Sequence, residues 1–473
     1  MTTKNRKYSL ESWMKTTKSR LKHFLTLALL LIVLVIVFSA SGALPFTRTP
    51  LNNVDPYSQY GKVPTILMYI LRTLTLIPLP IMLSNFFGII FCNTYPVPSR
   101  FVTSLTHGSI CFRVVTRGTY PDLVKRNLRR NIELCSKAGL QNYTFEVVTD
   151  NPIPITGLLN VRELLVPMWY KTSRGSLFKA RALQYSLEDN VTVLKDSDWI
   201  VHLDEETLLT ESSLAGVLNF IRSGEYEFGQ GVITYASDSV VCWITTLADL
   251  IRVGGDYGNL RFTLGLLHKP VFSWKGSFIV ANASAEKKVS FDFGPEGSLA
   301  EDCFFALMAW KEGYKFGYVE GEMWEKSTFS VMDFIQQRKR WIQGVSLAFL
   351  SKQIPIRYKL GIGVMVLAWA FMPVTSLNIL LVPMCPMSVH PVVNTLSAFS
   401  GGVAIFLFMF GAIKSFTIRT HGLFRFILLC TLTVGIAPIS LILESTGVIL
   451  AAVSKQGREF HIVKKDSERT ITV

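Results

Sequence analysis

Trp199-Ile-Val-His-Leu203 runs directly into Asp204-Glu205-Glu206. A short, mostly apolar run with β-branched residues at its centre has the composition of a buried strand, and the acids begin where such a strand would emerge. Upstream, Ile110-Cys-Phe-Arg-Val-Val-Thr116 reads as another buried strand, ending at Arg117-Gly118-Thr119, and Phe145-Glu-Val-Val-Thr-Asp150 as a second. Helical spacing fills the intervals: 121–138 carries Leu123, Leu128, Ile132 and Cys135 on one face and is stopped by Gly139, and 177–187 follows the same period. Residues 191–194 read as a further short strand. Alternating strands and helices predict an α/β fold, an open and mainly parallel sheet with helices on both faces. Ligands of such sheets bind beyond the carboxyl ends of the strands, which directs attention to Arg117, Asp150 and 204–206.

Side chains repeat every two residues along an extended segment, so Asp204 and Glu206 are expected to face the same way. Two such carboxylates suit a hard divalent cation, Mn2+ or Mg2+, that keeps waters and takes phosphate oxygens. The plain alternative is a solvated acidic turn. Glu301-Asp302 opens a helix with apolar spacing (Phe304, Phe305, Leu307, Met308), after the loop Gly294-Pro295-Glu296-Gly297. Acids in a first turn are ordinary dipole partners; the chemical reading is a general base aimed into a cleft. In 333–349, Gln337 lies one helical turn from both Arg340 and Trp341, so all three share a face. Arg340 there suits a pyrophosphate and the Trp341 indole a sugar. Phe334, Trp341, Val345 and Phe349 equally suit an amphipathic helix lying at a membrane interface, and the two readings are compatible.

The chain of 473 residues is 49% hydrophobic and only 17% charged, against about 25% charged in ordinary soluble proteins. That balance excludes a disordered chain and argues against a purely water-soluble one. Residues 24–44 are uncharged and long enough to cross about 30 Å of hydrocarbon. The basic leader 1–23 before them favours an anchor over a cleaved signal peptide. A second apolar stretch, 65–92, holds Arg72, Pro78 and Pro80 and is expected to kink; together 24–92 make two spans. Region 104–330 has no stretch able to span, 331–351 is the amphipathic Q-x-x-R-W helix, and 360–453 returns to apolar sequence. The last run there, from 424 to 453, holds Pro438 and Glu444 and reads as one tilted helix or a two-helix hairpin, giving three spans or two plus a hairpin before the tail 454–473. Basic residues in the leader and at Lys414, Arg419 and Arg425 set the middle domain in the cytosol by the positive-inside rule. The sequons at Asn142, Asn190 and Asn282 are then expected to be unmodified. Seven scattered cysteines without a C-x-x-C pair fit reduced thiols. The net charge of +14 lies largely beside the apolar stretches and suits an anionic lipid surface; no nucleic-acid motif accompanies it.

Taken in order, Asp150, Asp204-x-Glu206, Glu301-Asp302 and Gln337-x-x-Arg340-Trp341 resemble family 2 inverting glycosyltransferases, whose nucleotide-sugar domain has the GT-A fold. Ile200-Val-His-Leu-Asp-Glu-Glu-Thr207, Trp274-Lys-Gly-Ser-Phe278, Gly297-Ser-Leu-Ala-Glu-Asp302 and Arg338-Lys-Arg-Trp-Ile-Gln-Gly344 are similar to the egghead-type β-1,4-mannosyltransferases of invertebrates. The resemblance implies a GT-A domain flanked by transmembrane helices, in a multi-pass protein of the Golgi or endoplasmic reticulum. It implies transfer of mannose from GDP-mannose to glucosylceramide. Asp150, Arg117, Lys179 (in a K-x-x-A-L helix), Asp204 and Arg340 are the donor-side residues it assigns, with Asp204 and Glu206 at the metal, Mn2+ or Mg2+. Asp302 is the catalytic base with Arg340 beside the leaving group, and Glu301, Gln337 and Trp341 lie on the acceptor side. Glu206 replaces the usual second Asp of D-x-D, and Ala300 replaces the Thr of T-E-D. Two alternatives stand beside this reading: a processive family 2 polysaccharide synthase, and a membrane transporter with a regulatory cytosolic domain.

Overall fold

In the computed structural model, which describes residues 3–43, 55–96, 108–155, 157–236, 240–272, 274–454 and 465 and side chains from residue 14 onward, a single helix α1 (Thr3–Ala40) carries both the basic leader and the first apolar stretch. The leader charges up to residue 11 and nearly all of the tail 454–473 lie outside the described side chains. A short α2 (Pro56–Tyr60) leads into the second apolar stretch, which breaks at 75–78 into α3 (Lys62–Leu74) and α4 (Leu79–Phe91). The break follows from Pro78 and Pro80, which have no N–H to give to a continuing helix.

The middle region alternates as expected. Its elements are β1 (Ile110–Thr116), α5 (Pro121–Lys137), β2 (Tyr143–Thr149), β3 (Val161–Leu165), α6 (Phe178–Tyr185), β4 (Trp199–Leu203), α7 (Glu211–Ser223) and β5 (Phe228–Tyr235). Next come α8 (Trp243–Gly255), a π-helical turn (Asp256–Leu260), α9 (Arg261–Gly265), β6 (Ile279–Asn282), α10 (Ala283–Val289), a 3-10 turn (Pro295–Gly297), α11 (Glu301–Lys311) and β7 (Phe316–Glu325). The seven strands form one sheet in the order β3-β2-β1-β4-β6-β5-β7. All pairings are parallel except those of β6, which is antiparallel to both β4 and β5. Alternation along β6 separates the two faces: Val280 enters one core with Val124, Leu214 and Val217 of α5 and α7, while Ile279 and Ala281 enter another with Leu183, Val289 and Phe305 of α6, α10 and α11. The fold is the α/β GT-A class with helices on both faces.

One expected strand is absent. Residues 191–194 form a turn and an irregular segment, and the sheet edge is β3. The Val191 carbonyl accepts from Arg162 Nη2 at 2.7 Å, and Asp198 accepts from the Lys195 and Ser109 amides at 2.8 and 2.7 Å. These bonds fold the approach to β4 back on itself.

After the sheet come α12 (Val331–Leu350), α13 (Ile356–Thr375), α14 (Asn378–Met384), α15 (Pro391–Ser415), α16 (Ile418–Gly435) and α17 (Ala437–Val453). Among the described residues, Met14–Ala40, Lys62–Phe91, Ile356–Thr375 and Pro391–Ser415 are long and apolar enough to cross a membrane. The α16–α17 pair, bent by 46°, adds a fifth if counted as one span. The apolar side of α12 that sequence suggested for headgroups is largely packed inside the protein: Phe334, Ile342 and Val345 are buried, Gly344 backs onto Ala300, and Gly447 of α17 backs onto Arg338. The sheet domain and the helices long enough to cross a membrane share a core. Leu247, Leu250 and Val253 of α8 join Phe406 and Phe410 of α15 and Leu30 and Leu34 of α1. At that seam a Cβ on Gly411 would lie 1.9 Å from the Leu250 carbonyl oxygen, so only glycine permits the approach.

Candidate active site

The parallel strands deliver β1, β2, β4, β5 and β7 to one edge of the sheet with their carboxyl ends, and antiparallel β6 brings its amino end, 275–278, to the same edge. A cavity of about 1020 Å3 opens there. Arg117 after β1, Asp150 after β2, and Asp204 and Glu206 after β4 all line it. So do Lys179 of α6, Glu301 and Asp302 at the start of α11, and Gln337, Arg340 and Trp341 of α12. Every residue singled out from the sequence therefore reaches one space.

The alternation argued for 204–206 does not hold, because the segment turns: the Thr207 amide donates to the Asp204 carbonyl at 3.0 Å. Glu205 consequently lines the cavity as well, accepting from Thr116 Oγ1 at 2.5 Å. Lys179 Nζ donates to Asp204 Oδ1 at 2.7 Å and to the Gly276 carbonyl at 3.2 Å, and lies 3.7 Å from Glu301 Oε1. Desolvation raises the Asp204 carboxyl, but the charge and hydrogen bond of Lys179, together with the charges of Lys465 and Arg340, hold the group below its ordinary value. Glu206 goes the other way: desolvation lifts it, helped by the charges of Asp204 and Glu205, although Lys465 opposes.

The Asp302 carboxyl is pushed up to about 7 by burial and then by the Glu301 charge. Its Oδ1 accepts from the Cys303 amide at 2.7 Å. Gly276 keeps the adjacent space open: a Cβ there would sit 3.1 Å from Lys179 Nζ and 3.3 Å from Asp302 Oδ2. Arg340 is held below the usual guanidinium range by burial, against the pull of Glu301, Asp302, Asp204 and Glu206. Asp150 meets Arg181 Nη2 at 2.5 Å, and Asn151 Nδ2 donates to the Arg117 carbonyl at 2.8 Å, joining the loops after β1 and β2. The Trp341 ring, expected to be open for stacking, carries the guanidiniums of Arg252 and Arg338 at 4.4 and 4.3 Å.

Several lining residues were not singled out. Arg181 sits two positions after Lys179 in the same basic helix. Glu325, at the end of the unread strand β7, accepts from Thr207 Oγ1 at 2.6 Å and Ser277 Oγ at 2.8 Å, and is pushed up to about 7 by burial and by Asp204 and Glu206. Lys465 is a second surprise. Its ammonium lies 2.8 Å from Glu205 Oε1 and also pairs with Glu206. A buried ammonium on those carboxylates shows that the spot accepts a cation. No three His, Cys, Asp or Glu side chains surround one point among the described residues. Mn2+ or Mg2+ needs only one or two carboxylates when phosphate and water complete its shell, so Asp204 and Glu206 fit such an ion.

Residues 199–437 match glycosyl transferase family group 2. Over 449 residues the chain is 48% identical to Beta-1,4-mannosyltransferase egh of Drosophila melanogaster, a match spanning 95% of this chain and 98% of that protein. It is 44% identical over 414 residues to Beta-1,4-mannosyltransferase bre-3 of Caenorhabditis elegans, spanning 87% and 91%. Among solved structures, mannosyltransferase PcManGT from Pyrobaculum calidifontis in complex with GDP-Man and Mn2+ is similar with a TM-score of 0.44 at 13% identity, covering 81% of this chain and 100% of that one. Near-full-length identity at this level bears out the resemblance read from the strand-end acids and the Q-x-x-R-W helix: the chain belongs to glycosyl transferase family group 2, among its egghead-type β-1,4-mannosyltransferases.

Proposed function

We propose that the chain transfers mannose from GDP-mannose to the 4-hydroxyl of the glucose of glucosylceramide, giving mannosyl-β-1,4-glucosylceramide. The observation that carries this reading is the meeting of acids, cations and Asp302 in one cavity whose wall continues onto membrane-length helices. The chemistry follows from the residue types. An acceptor hydroxyl is a poor nucleophile, and a carboxylate titrating near neutrality is matched to taking its proton in the transition state. Asp302 takes that role. The acceptor oxygen attacks the anomeric carbon as the GDP phosphate departs from the opposite side, so an α-linked donor gives a β-linked product without a covalent enzyme intermediate. Arg340 supplies fixed positive charge to the departing diphosphate at no reorganisation cost. Asp150 and Arg117 hold the nucleotide, Lys179 fixes Asp204 relative to Glu301, and Glu301, Gln337 and Trp341 border the acceptor. Mn2+ or Mg2+ on Asp204 and Glu206 would supply further charge neutralisation to the diphosphate.

In this reading the protein is a multi-pass resident of the Golgi or endoplasmic reticulum with the catalytic domain in the cytosol, where sugar nucleotides are met. The test is to incubate membranes holding the chain with labelled GDP-mannose, other labelled sugar nucleotides and glucosylceramide. One mannose on an organic-soluble lipid, released by β-mannosidase, is expected. A long water-soluble polymer would instead establish a processive synthase, and label from a different sugar nucleotide would overturn the donor.

A further inference from the structure

The cavity does not end at the catalytic acids. Its other walls come from the apolar segments long enough to cross a membrane: Ile81 and Met82 of α4 (within 62–91), Ala368 and Met372 of α13, and Leu441 of α17, the second half of the bent α16–α17 pair. Along α13 the lining positions are 365, 368, 369 and 372, a single stripe at helical spacing. Leu360 and Leu367, on the remaining surface of that helix, are 60% and 47% exposed, as expected for side chains turned to lipid. The inner stripe is equally apolar, yet it borders open space continuous with Asp204 and Asp302. At about 1020 Å3 the space stands at the top of the ~300–1,000 Å3 range of small-molecule pockets, which leaves room for an acceptor beside a donor.

The same cavity is also lined by paired charges. Arg338 donates to Glu444 of α17 at 2.6 Å and also pairs with Asp249, which accepts from Ser327 at 2.6 Å; Lys275 pairs with Asp256. All of these line the same cavity. Trp274, also on its wall, has an indole N–H with no acceptor among the described residues. The cavity thus combines three kinds of surface: acids, hydrogen-bonding groups and hydrocarbon. A ligand matching them has a reactive hydroxyl, further hydroxyls and an apolar chain. A free sugar or nucleotide would leave the apolar stripe in contact with water, which is unfavourable in proportion to its area.

We propose that the limb bounded by α4, α13 and α17 is the binding site for the hydrocarbon of a glycolipid acceptor, so that the acceptor is taken with part of its chain inside the protein. The proposal rests on the reading that the site transfers a sugar to a lipid, and deepens it by assigning the chain its place. Chain contact then contributes to acceptor selection, since an acceptor too short to reach the stripe loses that contact.

The test uses the full-length chain in lipid nanodiscs with GDP-mannose and two acceptors, long-chain glucosylceramide and a hexyl glucoside. Ala368→Phe and Met372→Trp fill the limb; Leu367→Phe adds similar bulk on the outward face of the same helix. For the two filling variants, the ratio of kcat/KM for the long acceptor to that for the short one is expected to fall about tenfold or more, through KM, while the KM for GDP-mannose is unchanged and Leu367→Phe leaves the ratio alone. Equal loss on both acceptors, or an unchanged ratio, overturns the proposal. A second measurement avoids substitution altogether. Glucosylceramide with a photoreactive chain is expected to label Met365, Ala368, Trp369, Met372 and Leu441 in the unmutated protein, and unlabelled glucosylceramide to compete it away. Labelling confined to outward positions such as Leu360 and Leu367, or labelling that competitor does not reduce, marks a bulk lipid contact and overturns the proposal. Absence of mannosyl transfer from the unmutated protein to either acceptor is a different failure, and removes the parent reading itself.

Discussion

Asp302 combines the features a general base needs: it borders the cavity, its neighbour Gly276 leaves room for an acceptor, and burial with the Glu301 charge raises it to about 7. A carboxyl with that value is protonated below it and cannot accept a proton there. On the acid side of 7, kcat/KM is therefore expected to fall by about tenfold per pH unit and to level off above, in a pH–rate profile taken at saturating cation. Asp302→Asn is expected to lose about 100- to 10,000-fold in turnover, with GDP-mannose binding by calorimetry retained. A flat acid limb in the unmutated enzyme, or a variant within tenfold of it, would remove Asp302 from that role. Lys465 makes a separate prediction. Its ammonium offsets Glu205 and Glu206, so Lys465→Met leaves both carboxylates without that partner and increases their attraction for a divalent ion. Mn2+ binding, followed by loss of the free-ion EPR signal, is expected to tighten by about 3- to 10-fold, a change of about 1 kcal/mol; unchanged or weaker binding would show that Lys465 does not compete there. The strand-end acids were legible because a polar residue directly after an apolar run has one obvious place to go. Lys465 was not, since it reaches Glu206 across 259 positions of sequence and no local pattern announces such a contact.

At the level of elements, α12 is the hinge between chemistry and membrane. Gln337, Arg340 and Trp341 point one face at the cavity, while Arg338 on the next face joins Asp249 of α8 to Glu444 of α17. Both Arg338 and Asp249 have side chains 2% exposed, so deleting the cation leaves Glu444 without its ion-pair partner and Asp249 with only the 3.3 Å pair to Arg252. Arg338→Met is expected to cost about 3–5 kcal/mol. At roughly 2–4 °C per kcal/mol, that lowers the melting temperature by about 10 °C in detergent. Arg338→Met with Glu444→Gln is expected to recover part of the loss, because the uncompensated Glu444 charge goes with it; a single variant that melts like the unmutated chain would show the network to be idle. Period and composition foretold β1, β2, β4, α5, α6, α11 and α12, and the break of the second apolar stretch at its prolines, but left β5, β6 and β7 unread. They failed at β3, whose Val-Arg-Glu-Leu-Leu is too charged to read as a strand, and at 191–194, where apolar residues lie in a turn fixed by Asp198. They also left α12 between two faces, one apolar enough for a membrane interface. The structure packs that face on α17 and on the loop before α11, a choice set by neighbours and not by its own sequence.

Across the whole molecule, the sheet domain and the helices long and apolar enough to cross a membrane pack as one unit. Sequence drew a boundary near 104 and another near 351, since hydropathy changes there, but hydropathy does not reveal that the two parts share a core. Leu247, Leu250 and Val253 of α8 are packed with α15, Val345 and Ala348 of α12 share a cluster with Ile362 of α13, and Glu444 completes the Arg338 pair from α17. Burial of a large apolar side chain contributes about 1.5–3 kcal/mol, so losing a handful of these contacts matches the ~5–15 kcal/mol by which a typical domain is stable. Excision of 104–351 would expose that surface, open the cavity wall formed by α4, α13 and α17, and remove Lys465 from the acids. The excised piece is accordingly expected to be aggregated, or to bind an apolar dye and lose near-UV circular dichroism, under conditions where the full chain in nanodiscs binds GDP-mannose. Size-exclusion chromatography together with a GDP-mannose titration checks it. A monodisperse excised domain with the full chain's donor affinity would show that the shared core is dispensable, and would turn the membrane helices from a structural wall of the active site into a simple tether.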